Sequence, residues 1–317
     1  MATKKTTKKA AAAKSTPKKS TSVATKTTVK SVASTSTATS GKGIDTKLPK
    51  NLVNIVIAEI VGTFVLTLVA LFSAYMMAPF YVGLTLVIMV LAIGAISGAH
   101  INPAVTFGLW SMRKLKTILV PFYWAAQFIG AMAAVVLIGS LSGGAFSIHF
   151  DQFTNFSWSI FTLELIGTAV FMFGLGAVSS RTDLKPTGKA IGIGMSLTLG
   201  LLVAGALTPF VQSAAMDKFQ EEQAATQTEE NADAAKDSSE RTYPRELYID
   251  GATLNPAVAL AVTEKTDTQL QNGSSMASKD EKNYTRLSLE VIFATLIGAA
   301  LGGNLFLLVN YRSKSEA

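Results

Sequence analysis

From Leu52 onward, long apolar runs alternate with short polar connections. Six of the runs, near Leu52–Ala74, Phe80–Ile96, Ile118–Leu141, Trp158–Val178, Ala190–Leu207 and Leu287–Asn310, are long enough to cross a hydrocarbon core of about 30 Å as helices. Two shorter apolar pieces, Pro103–Ser111 and Pro256–Thr263, reach about half that thickness at about 1.5 Å per residue, too little to span. The pattern predicts an all-α membrane protein with six transmembrane helices and two re-entrant half-helices.

The pattern also repeats. Glu59-Ile-Val-Gly62-Thr63 in the first run recurs as Glu164-Leu-Ile-Gly167-Thr168 in the fourth, and Gly98-Ala-His-Ile-Asn102-Pro-Ala-Val105 recurs as Gly251-Ala-Thr-Leu-Asn255-Pro-Ala-Val258. Each half holds three spans, an odd number, so the second copy enters the membrane with the opposite topology. Glu59 precedes Asn102 by 43 residues, whereas Glu164 precedes Asn255 by 91, and most of the excess is a polar, acidic stretch near 209–250. The organisation expected is a basic tail over 1–50, a first repeat over 51–141, an extracytoplasmic connection over 142–157 and a second repeat over 158–311. The second repeat carries the insertion near 209–250 and a polar loop near 264–285, and residues 312–317 form a cytoplasmic end.

Charge sets the orientation. Lys47 and Lys50 before the first span, Arg113, Lys114 and Lys116 before the third, Arg181, Lys185 and Lys189 after the fourth, and Arg312 and Lys314 after the sixth all fall on one side. Basic residues in short loops mark that side as cytoplasmic, so both termini are expected there, in a plasma-membrane protein. Residues 1–50 hold twelve lysines, one acid and no aromatic, a composition that cannot bury enough apolar surface to order itself. Without an apolar run after its first lysines the tail is not a signal peptide. Beside a membrane span it suits anionic lipid headgroups better than nucleic acid. The segment Pro209–Asp250 carries ten acids against four bases and reads as a solvated extracytoplasmic loop, with a regulatory lid as the alternative.

Composition narrows the function classes. With 15% charged residues and a mean hydropathy of +0.36, a soluble enzyme is unlike this chain. No cysteine and only two histidines, His100 and His149, leave no thiolate nucleophile and little metal chemistry. No phosphate-binding loop or nucleophile elbow is present, so neither an enzyme nor a cofactor is expected.

The two Asn-Pro-Ala turns carry the chemistry. Asn caps free backbone N–H groups, and Pro fits the first helical position because its missing N–H would have had no partner there. Asn102-Pro103-Ala104 and Asn255-Pro256-Ala257 therefore each open a half-helix. Inverted topology brings the two N-termini together near the midplane, each carrying about half a positive charge. Broken backbone at that depth must lie within protein or line a watery cavity, for which a pore is the simplest place.

These motifs resemble the aquaporin, or major intrinsic protein, family over about 52–311 less the insertion. The resemblance implies a right-handed bundle with a pore in each subunit of a homotetramer, passing water or small neutral solutes. It assigns Asn102 and Asn255 as central donors to the permeant. The carbonyls of Gly98, Ala99, His100 and Ile101, and of Gly251, Ala252, Thr253 and Leu254, become acceptor ladders on either side. Glu59 and Glu164 become structural carboxylates that hold the re-entrant loops, rather than proton relays, and His100 packs within its turn. Gly62, Gly130, Gly167 and Gly298 read as close helix-packing positions. Most members carry an Arg directly after the second Asn-Pro-Ala, where this chain has Val258, and the other constriction positions fall on Val82, Leu201 and Ala252. An all-aliphatic constriction implies weak polar selectivity. A non-conducting membrane scaffold of the same fold and a proton-coupled transporter are the alternative classes.

Overall fold

The computed structural model describes residues 47–72, 78–143, 146–227, 241–272 and 282–311. Most of the basic tail expected over 1–50, the centre of the acidic insertion at 228–240 and the end at 312–317 lie outside the described residues. Among the described residues the elements are α1 (Leu52–Phe72), α2 (Ala78–Ser97), α3 (Pro103–Ser111), α4 (Val120–Leu141), α5 (Trp158–Ser180), α6 (Pro186–Gln227), α7 (Pro256–Ala261), α8 (Asp267–Asn272) and α9 (Leu289–Val309). Two isolated β-bridges, His149 to Tyr284 and Thr263 to Thr285, stand outside these helices. Among the described residues six helices are long and apolar enough to cross a membrane.

Each long helix separates an apolar outer face from a mixed inner one. On α1, Val53, Ile57 and Val61 are exposed at helical spacing, while Ala58, Glu59, Gly62, Thr63 and Leu66 are buried. In water such an outer face would be costly; in hydrocarbon it is matched to its solvent. The helices pack in two equivalent sets, α1 against α2 and α4, and α5 against α6 and α9, with α2 against α6 joining the sets. Each half-helix lies against the last long helix of the other set, α3 on α9 and α7 on α4. Small residues make the close crossings. A β-carbon on Gly130 would stand 2.4 Å from Ile60 O, and one on Gly298 would stand 2.6 Å from Leu165 O. Ile60 and Leu165 directly follow Glu59 and Glu164, so the two crossings are copies of one another.

The structure corrects the expected end of the fifth span at Leu207 and the loop reading of the segment beginning at Pro209, which is helical to Gln227 though largely exposed. α6 runs through Pro209 for 42 residues, about 63 Å at the usual rise, roughly twice the hydrocarbon thickness. Pro209 removes one backbone hydrogen bond and does not end the helix. Beyond it, Ala, Gln, Glu and Lys are strong helix formers despite their polarity. Gln212 Nε2 donates to Glu246 O and Ile249 O, and Phe219 meets Tyr243 edge to face, so the extension is held by the far end of the insertion. The second half-helix also stops two residues earlier than expected, at Ala261, because Thr263 turns away to bridge Thr285.

Candidate functional site: two facing half-helices

Asn102 and Asn255 both adopt extended backbone and cap their own helices. Asn102 Oδ1 accepts from Ala104 N at 2.8 Å, and Asn255 Oδ1 accepts from Ala257 N at 3.0 Å and Val258 N at 3.4 Å. Their amide nitrogens cross to the other half: Asn102 Nδ2 donates to Leu254 O at 2.9 Å and Asn255 Nδ2 to Ile101 O at 3.0 Å. The tips of α3 and α7 are thus locked by a reciprocal pair of hydrogen bonds between residues 152 and 154 positions apart. An amide group carries two N–H donors, so each Asn keeps one for another acceptor.

The residue before each Asn is strained in the same way. Ile101 has φ 41° and Leu254 φ 55°, left-handed values that cost a bulky side chain about 1–3 kcal/mol. A buried carboxylate stabilises each. Glu59 accepts from His100 N (3.0 Å), Ile101 N (2.7 Å) and Gln127 Nε2 (2.8 Å). Glu164 accepts from Thr253 N (2.8 Å), Thr253 Oγ1 (3.0 Å) and Leu254 N (2.8 Å). His100 is packed rather than presented: its ring stacks on Tyr123 at 4.4 Å, and Nδ1 lies 3.2 Å from Thr106 Oγ1.

Not every ladder carbonyl stands open. Ile101 O and Leu254 O accept from the opposite Asn, and Gly251 O accepts from Arg286 Nη2 at 3.0 Å. Among the described residues, the carbonyls of Gly98, Ala99, His100, Ala252 and Thr253 have no protein donor. On the Asn102 side a cavity of about 80 Å³ is lined by Gly98, Ala99 and His100 with Leu86, Val105 and Phe171, room for several water molecules. Val82, Leu201, Ala252 and Val258 all belong to one large apolar cluster that also takes in Leu66, Met112 and Phe306.

Sequence reasoning missed a set of buried ions on the insertion side. Arg286 Nη2 lies 3.2 Å from Glu164 Oε1, and Arg245 bridges Glu264 (2.7 Å) and Glu290. Arg241 also pairs with Glu264 while stacking on Tyr248 and Tyr284, 4.2 and 4.5 Å from the ring centroids. Glu264, Glu290, Arg286 and Tyr248 are buried, and burial together with the Asp267 hydrogen bond pushes the Tyr248 phenol up. The only hint along the chain was an Arg and a Glu, 286 and 290, at the mouth of an apolar run.

A model of the family described as Major intrinsic protein matches residues 74–217, a stretch that ends before the second Asn-Pro-Ala. Aquaporin Z of Brucella melitensis is 34% identical over 178 residues, 48% of this chain and 77% of that protein. The chain belongs to the major intrinsic protein family. Aquaporin NIP2-3 of Zea mays is 33% identical over 177 residues, 52% of this chain, and the chain spans 58% of that relative's length. The X-ray structure of the aquaglyceroporin from Plasmodium falciparum superposes with a TM-score of 0.46 at 18% identity, over 81% of this chain and 94% of that one. As a major intrinsic protein with six apolar helices, the chain is an integral membrane protein. Its all-α fold is the one expected from the spans and the inverted repeat.

Proposed function

We propose that the protein is a passive transmembrane channel for water or small uncharged solutes, with its path beside the facing tips of α3 and α7. The reciprocal Asn102–Leu254 and Asn255–Ile101 bonds carry this reading, because they hold two amide donors side by side at the centre and leave one N–H of each unused. Unpaired carbonyls lie on both sides of that centre. Central donors flanked by acceptors orient a file of permeants oppositely in its two halves, and two converging helix N-termini repel cations. Val82, Leu201, Ala252 and Val258 form an aliphatic outer constriction, which selects by size and only weakly by polarity. The working unit is a homotetramer in the plasma membrane with cytoplasmic termini, its basic tail against anionic lipid.

Stopped-flow assays on proteoliposomes with water, glycerol, urea and ammonia test the reading. Flux above empty vesicles for at least one of them, without accumulation against a gradient, is expected. No flux for any solute from intact tetramers points instead to a non-conducting scaffold, and accumulation driven by a pH gradient to a coupled transporter.

A further inference from the structure

The two halves of the site treat their carboxylates differently. Gly130 and Gly298 occupy equivalent crossings, so the positions three residues before them, Gln127 on α4 and Thr295 on α9, are equivalent too. Gln127 reaches Glu59 with a neutral amide. Thr295 is too short for that task and spends its hydroxyl on Val291 O and Ile292 O of its own helix. The vacancy beside Glu164 is filled from elsewhere, by Arg286 in the strand-like approach to α9. Arg286 is anchored by its backbone N–H to Val262 O at 2.8 Å and is 3% exposed. Its Nη2 touches both Glu164 Oε1 and Gly251 O, while its Nη1 is buried with no partner. Among the described residues, no cation pairs with Glu59.

Hydrogen bonding alone does not call for a guanidinium here, since a neutral amide serves the equivalent carboxylate. What it adds is a full positive charge beside the outer re-entrant loop. Resting on the channel reading above, we propose that Arg286 is a positioning residue that sets cation rejection in the outer half of the path. It neutralises Glu164 while its Nη2 also donates to Gly251 O, the outermost ladder carbonyl. The positive tip of α7 then acts without an opposing carboxylate. Barriers in series are governed by the highest, so the inner half, where Glu59 lacks a cation, does not have to reject ions by itself. The charge is not replaceable by a hydrogen-bond donor, which separates this role from simple loop packing.

Sodium flux relative to solute flux in phosphatidylcholine proteoliposomes, measured with an entrapped sodium-sensitive dye, tests the proposal. Arg286→Gln, which repeats the neutral amide that serves Glu59, is expected to raise the ratio by about tenfold or more. Arg286→Lys keeps the charge and is expected to hold the wild-type ratio. The double variant Glu164→Gln/Arg286→Gln, neutral at both positions, is expected to return to it, and a leak there overturns the proposal even if the single Gln variant does not fold. An unchanged ratio in Arg286→Gln, or a leak of equal size in the Lys or double variant, overturns the proposal. Wild-type vesicles that pass no solute overturn the channel reading instead, and the sodium fluxes of the variants still compare Arg286 with its replacements.

Discussion

Replacing each buried carboxylate by its amide separates the loop-holding role from a proton-carrying one. In Glu59→Gln one oxygen survives as an acceptor and the other becomes an NH2 group beside two backbone donors that cannot turn away, His100 N and Ile101 N, whereas Gln127 can flip its amide. At least one charge-assisted hydrogen bond is lost and one buried donor orphaned, about 2–4 kcal/mol in all. The left-handed Ile101, at φ 41°, loses the contact that offsets its strain. In Glu164→Gln the same loss falls on Thr253 and Leu254, and Arg286 is also left as a buried cation without a counter-charge. Removing one partner of a buried pair costs about 3–5 kcal/mol, so the second variant is expected to be the less stable of the two. Thermal unfolding of the detergent-solubilised protein, followed by tryptophan fluorescence, is expected to give Tm in the order wild type, Glu59→Gln, Glu164→Gln. Solute flux falls in the same order. Equal Tm for wild type and Glu59→Gln, with loss only of pH-driven uptake, would refute the structural role and make Glu59 a proton carrier.

Val258→Arg is expected to narrow the range of permeant solutes in the stopped-flow panel, and an unchanged range would place the constriction elsewhere. A β-carbon at Gly302 would stand 2.0 Å from Ala169 O, so Gly302→Ala must push α9 off α5, with a loss of about 1–3 kcal/mol in thermal stability. Gly205→Ala, where nothing lies within 4 Å, serves as its control and is expected to be neutral or slightly stabilising. Arg245→Met leaves Glu290 without its cation and Glu264 with Arg241 alone, and is expected to cost about 3–5 kcal/mol. Protease susceptibility of the 241–250 segment should rise with it.

The spans were legible because lipid imposes a length and a composition on any helix that crosses it. Asn102 and Asn255 stood out for a local reason: a cap, a proline at the first helical position and a short apolar run are neighbours in the chain. Glu59 and Glu164 were visible through the duplicated Glu-x-x-Gly-Thr pattern. The extension of α6 was hidden because its residues are at once polar and helix-forming, and polarity alone does not separate a solvated helix from a loop. Arg286 was hidden for a different reason. Its carboxylate partner lies 122 residues away, and nothing in the local run from Asn283 to Glu290 distinguishes a buried guanidinium from a solvated one. Arg241 and Arg245 had been counted among solvated loop charges, whereas the fold buries them against Glu264 and Glu290.

A high-resolution experimental structure in lipid, with ordered permeants visible, tests most directly whether the two half-helix tips flank an open path. Density is expected at about 2.7–3.2 Å from both Asn102 Nδ2 and Asn255 Nδ2, continuing toward the unpaired carbonyls of His100 and Thr253. Side chains filling the space beside both amides, with no density reaching them from either face, would contradict it.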